Sequence, residues 1–178
     1  MAETPFPLLE LDLCGKIADA VLALLRDTGT TPGTALASVL GNRIYETELE
    51  RLATDKAGTY QAYTLLVALG PVAEPRIGNA GYTELQTAVD LFLLTPVAKP
   101  NDTQRWLRAR IFHQVKLALV AEQGTLRDGS DNRLTEALKR FDRLDFNGRL
   151  RNDSNVIVTA FRATFVSDID EATRTFLS

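Results

Sequence analysis

Cysteine, histidine, methionine and tryptophan each occur once in the 178 residues. The single cysteine, Cys14, excludes an internal disulfide and gives no sign of an oxidising compartment. The single histidine, His113, cannot make a metal site by itself, and no Cys or Glu stands at ligand spacing beside it on a helix. It reads as a packing or hydrogen-bonding residue in mid-helix. The excess of one sign of charge over the other is small as well. A net charge of −3 and a pI near 5.2 leave no electrostatic footprint for nucleic acid. No apolar run approaches the roughly 20 residues of a membrane-spanning helix. The opening MAETPFPLLELDL lacks the basic region of a secretory signal. These absences predict a soluble protein made in a cytoplasm, with no membrane partner.

Chemistry is equally thin. Gly15-Lys16 lacks the upstream glycine of a phosphate loop. Glu46/Glu48/Glu50 and Asp168/Asp170/Glu171 are types that bind cations or trade protons, but on charged segments they read as solvated. Arg105, Arg108 and Arg110 have no interleaved aromatic platform, and arginine suits a protein interface at least as well as phosphate. The sequence therefore predicts no catalytic, cofactor-binding or metal-binding residue, no cofactor, and a chain that is not an enzyme.

What is present is a pattern. Hydrophobic residues make up 45% and charged residues 24%, enough for one core and too apolar for wholesale disorder. Residues 8–27 read as a helix with Leu13, Ile17, Val21 and Leu24 in a stripe that Leu25 widens. TGTTPGT (28–34) reads as a loop, 34–40 as a short helix, and NRIYET as a first strand. Segment 47–59 is charged, without apolar periodicity.

Two apolar strands follow, 60–70 and 83–96. In the second, Leu85, Thr87, Val89, Leu91 and Leu93 alternate with Glu84, Gln86, Ala88, Asp90, Phe92 and Leu94. The latter face starts polar and ends apolar, so one end of the sheet is expected to be wet and the other covered. Between the strands, 71–82 reads as an extended loop punctuated by Pro71, Pro75, Gly78 and Gly81. Its Arg76, Ile77 and Tyr82 are contact candidates.

Residues 102–124 form an amphipathic helix with Asn101 or Asp102 as cap and Gly124 after its last turn. Leu107, Ile111, Val115, Ala118 and Leu119 make one stripe. Trp106, Leu117 and Val120, flanked by Arg110, lie on the opposite side. Together with Phe92 and Leu94 they are apolar beyond the needs of one core, which marks a partner surface. Beyond this helix, 131–141 reads first as a short helix through Leu134, Leu138 and Phe141. The alternative is a hairpin over 141–151 around Asn147-Gly148. The last strand is 155–166. The tail 167–178, ending in Phe176 and Leu177, is a second contact candidate expected to order on assembly, as is the loop 71–82.

The fold expected is a single α+β domain over residues 1–178. It has a small antiparallel or mixed sheet packed by an N-terminal helix and one long amphipathic helix. The order of KIADAVLALLRDTG, RIYE, the two long strands, the helix 102–123 and VIVTAFRATFV resembles the tail terminator and tail completion (neck) proteins of long-tailed bacteriophages. The segments 47–59 and 125–154 are longer than a minimal member needs. The resemblance implies a structural virion protein without catalytic residues. Such a protein assembles as a ring, commonly a hexamer, between the tail tube protein and a head–tail connector or stopper, with DNA passing through its channel without specific binding. Two other readings stand beside it: a cellular α+β binding or adaptor protein, and an enzyme built from scattered Asp, Arg and Tyr residues.

Overall fold

In the computed structural model the described residues are 9–47, 60, 62–77, 82–97, 102–144, 149–150 and 153–170. Residues 48–59 and 171–178, with the contact candidates Phe176 and Leu177, lie outside them. Helix α1 spans Leu9–Arg26, α2 Thr31–Leu40 and α3 Asp102–Val120, the last ending in a 3-10 turn, Ala121–Gly124. The strands are β1 Ile44–Glu46, β2 Thr64–Ile77, β3 Tyr82–Pro96, β4 Ala137–Leu144, β5 Arg149–Leu150 and β6 Asp153–Asp170. They form one sheet in the order β1-β2-β3-β6-β4, with β5 also on β6. Strand β1 runs parallel to β2, and the other pairings are antiparallel. The fold is α+β with a mixed sheet.

Alternation along β3 and β6 sorts the side chains as the sequence predicts. Val89, Leu91 and Leu93 join Ala163 and Phe165 on one face. There they meet Ile17, Val21 and Leu25 of α1, Leu36 and Leu40 of α2, and Ile111, Val115 and Leu119 of α3. All three helices therefore lie on the same side of the sheet. Phe112 of α3, Phe161 of β6 and Phe141 of β4 form an aromatic row, with ring centroids 4.0 and 5.3 Å apart. Such contacts add about 0.5–1.5 kcal/mol each beyond area burial and fix where α3 sits.

Helix α2 starts earlier than the loop-like composition of 28–34 suggests. Thr30 caps it from an extended backbone, its Oγ1 accepting from the Gly33 N–H at 3.1 Å, and Pro32 sits in the first turn. The Thr and Pro that suggest a loop by composition are start signals here. The turn out of α1 passes so close that a Cβ at Gly33 would lie 1.8 Å from the Asp27 carbonyl oxygen. We expect Gly33→Ala to lower stability by about 3 kcal/mol, because backbone has to move to admit the methyl. Thermal denaturation checks this, and a loss below 1 kcal/mol would contradict it.

Four expectations are corrected. The segment 71–82 is not an extended loop: β2 continues through Ile77, paired with β3 as far as Ile77–Thr83. Its prolines fit because the register shifts between Leu69 and Val72 and again between Ala73 and Arg76. A bulge needs no regular N–H donor at Pro71 or Pro75, and this part of β2 lies beyond its pairing with β1. The 131–141 helix is absent; β4 occupies 137–144, preceded by a bridge between Arg127 and Arg133. Nor do 141–151 form their own hairpin, since β4 and β5 both pair with β6. Finally, β6 runs on to Asp170, so residues 167–170 are strand rather than tail.

Candidate assembly surface

Helix α3 has the two-sided character its sequence predicts. Ile111, Phe112, Val115, Ala118 and Leu119 are buried against the sheet and the other helices. On the outer side Trp106 is 69% exposed, Leu117 40% and Val120 41%. Positions 106, 110, 113, 117 and 120 follow at intervals of three and four, so these side chains share one line along the helix with Arg110 and His113 between them. Both Arg110 and His113 are exposed, as is Lys116 beside them. Of the two roles expected for His113, packing or hydrogen bonding, its exposure excludes packing in the core.

Phe92 and Leu94 do not belong to this surface. They are 2% and 0% exposed, in a second apolar cluster with Leu66, Ala68, Val156, Val158 and Ala160 on the sheet face away from the helices. Tyr60 and Leu144 pack against it. The apolar half of that face is covered, as the polar-to-apolar gradient along β3 implies, and leaves Phe92 and Leu94 no contact role. Arg76, Ile77 and Tyr82 belong to strands, but their side chains lie outside those described.

The polar half of the same face is open. Pro71, Gln86, Lys139, Arg140, Arg162 and Thr164 line a depression of about 340 Å³. At its inner end Arg162 donates from Nε to Asp90 Oδ1 at 2.7 Å and from Nη2 to Oδ2 at 2.8 Å. This two-point pairing holds the Arg162 guanidinium above its ordinary pKa, the hydrogen bond to Asp90 being the main cause. Gly70 leaves room for the carboxylate; a Cβ there would come 3.1 Å from Asp90 Cγ.

One exposed side chain escaped the sequence reading. Tyr45 in β1 is 45% exposed, beside exposed Glu46. Alternation in IYE places Tyr45 opposite buried Ile44, but only its position on the sheet edge leaves it uncovered. Cys14 is fully buried, its Sγ 3.3 Å from Thr87 Oγ1, and burial pushes its thiol pKa up. Among the described residues no group of three or more His, Cys, Asp or Glu side chains forms a metal-binding cluster. Also among them, no helix is long and apolar enough to cross a membrane.

No protein-family model matches the chain, and no curated protein does. Among solved structures, a chain described as "Virion of native gene transfer agent (GTA) particle" is 18% identical with a TM-score of 0.43, over 86% of this chain and 97% of that one. A second solved chain is 8% identical with a TM-score of 0.33, over 89% of this chain and 92% of its own length. At these values neither likeness carries a conclusion about what this chain does.

Proposed function

We propose that this chain is a structural virion protein of the tail terminator or tail completion type. In this reading it caps the tail tube as a homo-oligomeric ring, six subunits being the family's usual closure. It meets the tail tube protein on one side and a connector or stopper on the other, and DNA passes through without specific binding. The observation that supports this best is the outer face of α3. A helix already anchored by five buried side chains still presents Trp106, Leu117 and Val120 to solvent in one line, and such a face is built for a partner. The order of elements read from the sequence supports the same family. Net negative charge suits a channel through which phosphate slides.

The test is stoichiometry and position in intact particles, by quantitative mass spectrometry and cryo-electron microscopy. The expected result is a ring on the tail axis at the neck. Absence from the particle, or a single copy away from the axis, would overturn the reading. A substitution sharpens it. Trp106→Glu should leave unfolding stability within about 0.5 kcal/mol, because the site is exposed, while incorporation into particles falls about tenfold or more. Normal incorporation of the variant would remove α3 from the contact.

A further inference from the structure

The last strand of a sheet carries N–H and C=O groups that can pair with a strand of another molecule. Among the described residues the sheet ends in β1 on one side and in β4, with the two-residue β5, on the other. Strand β4 is well protected. A bulge between Leu138 and Arg140 breaks its register, and Lys139, Arg140, Asp142 and Arg143 crowd charge onto its eight residues.

Strand β1 is less protected. Ile44–Glu46 pairs with β2 in unbroken register, and Ile and Tyr are good strand formers. Tyr45 and Glu46 are exposed, so this edge faces solvent. The direction of its main-chain groups follows from the ladder. Leu65 donates to the Arg43 carbonyl and Thr47 donates to that of Val67, both at 2.9 Å. These groups alternate in direction along a strand, so Arg43, Tyr45 and Thr47 turn theirs to β2, and Ile44 and Glu46 turn theirs outward. Such an edge is self-complementary. Two copies related by a two-fold axis at Tyr45 would set Ile44 of each opposite Glu46 of the other, with hydrogen bonds exchanged in both directions at each pair.

A side chain stands in the way. Arg26, in the last turn of α1, donates to the Ile44 carbonyl from Nε at 2.9 Å and also from Nη2. The guanidinium fills the position that the Glu46 N–H of an incoming copy would need. The neighbouring Arg43 has no part in this, since it donates to the carbonyls of Tyr63 and Val39. We propose that Arg26 guards this edge: its hold on the Ile44 carbonyl keeps two copies of the chain from joining their sheets through β1. With that acceptor taken, half of the hydrogen bonds of the two-fold pairing are lost, and each copy also brings a positive charge to the seam. The guard acts on the free subunit and is independent of the ring reading, whose contact surface lies on α3.

Light scattering on the full chain, over a range of concentrations, tests the guard. Arg26→Met keeps the apolar stem and removes the donors. It is expected to dimerise at about a tenfold lower concentration than the unsubstituted chain, the equivalent of ~1.4 kcal/mol. Glu46→Pro deletes the N–H that would seek the freed carbonyl and leaves the bonds between β1 and β2 in place. Added to Arg26→Met, it should restore the behaviour of the unsubstituted chain. Equal association of Arg26→Met and the unsubstituted chain would overturn the proposal. Association that survives Glu46→Pro would overturn it too, because it would run through another surface. If Arg26→Met does not fold, amide exchange in the unsubstituted chain decides. Exchange at Glu46 is expected to be the same at every concentration, and slowing as concentration rises would mean that the edge pairs in spite of Arg26.

Discussion

Arg162→Met is expected to lower unfolding stability by about 3–5 kcal/mol, although Arg162 is itself partly open to solvent. The damage lies on the other side of the pair. Asp90 keeps only 2% of its side-chain surface exposed, while Arg162 keeps 32%. Removing the guanidinium leaves a buried carboxylate between β2 and β6 with both strong hydrogen bonds gone. Asp90→Asn should cost less, because a neutral amide has less to lose on burial. The double variant Asp90→Leu, Arg162→Met should recover most of the loss, since an apolar pair of similar volume leaves no charge stranded. Urea denaturation of these proteins, with the single Asp90→Leu added, closes the cycle. If Arg162→Met cost no more than an ordinary surface substitution, Asp90 would have to be wet, contrary to the geometry.

That pair also shows where sequence reading stops. Asp90 and Arg162 are legible as members of their strands' outer faces. Their contact depends on β3 lying next to β6, which no local pattern states. Where structure follows local periodicity, the reading holds, as for the two faces of β3, the stripe of α1 and the two sides of α3. It fails at bulges. Leu134, Leu138 and Phe141 have helical spacing, yet Leu138 and Phe141 pack on the helix-side core from a strand. The bulge at Lys139 inserts one residue between them, turning an alternation of two into a spacing of three. A bulged strand thereby imitates a helix. In β2, two bulges likewise give prolines a place that regular pairing would deny them. As for the candidate surface, α3's outer face was legible from its second apolar line. Phe92 and Leu94 were misassigned because whether an outer sheet face is covered is a tertiary fact. Tyr45 was missed for the same reason in reverse.

Phe165→Ala should cost about 3–5 kcal/mol and lower the cooperativity of unfolding. Phe165 is fully buried and among the largest such side chains. It stands on β6 between Thr87 of β3 and Leu138 of β4, facing the core where all three helices meet the sheet. Leu138 beside it has little room to shift into the space. Gly124, in the left-handed region at φ 80°, already lies so close to Leu138 that a Cβ would come 2.3 Å from the Leu138 nitrogen. Phe165→Leu, which refills part of the volume, should recover about half of the loss. Equal effects of both substitutions would mean that shape rather than volume governs the site.

The position of β6 has a consequence for how the protein is made. Among the described residues it is the last strand in chain order, yet it lies inside the sheet, with β3 on one side and β4 and β5 on the other. Until Asp153–Asp170 has left the ribosome, β3 has β2 on one flank and nothing of its native pairing on the other. The growing chain therefore carries a long, apolar, unsatisfied strand while the whole stretch from Pro96 to Asp153 is made. Completing the sheet means joining segments as distant as Tyr82 and Asp170, a topology that folds slowly and invites aggregation meanwhile. Nascent chains stalled before Asp153 should thus be the form that chaperones hold, and release of the final strand the step that frees them.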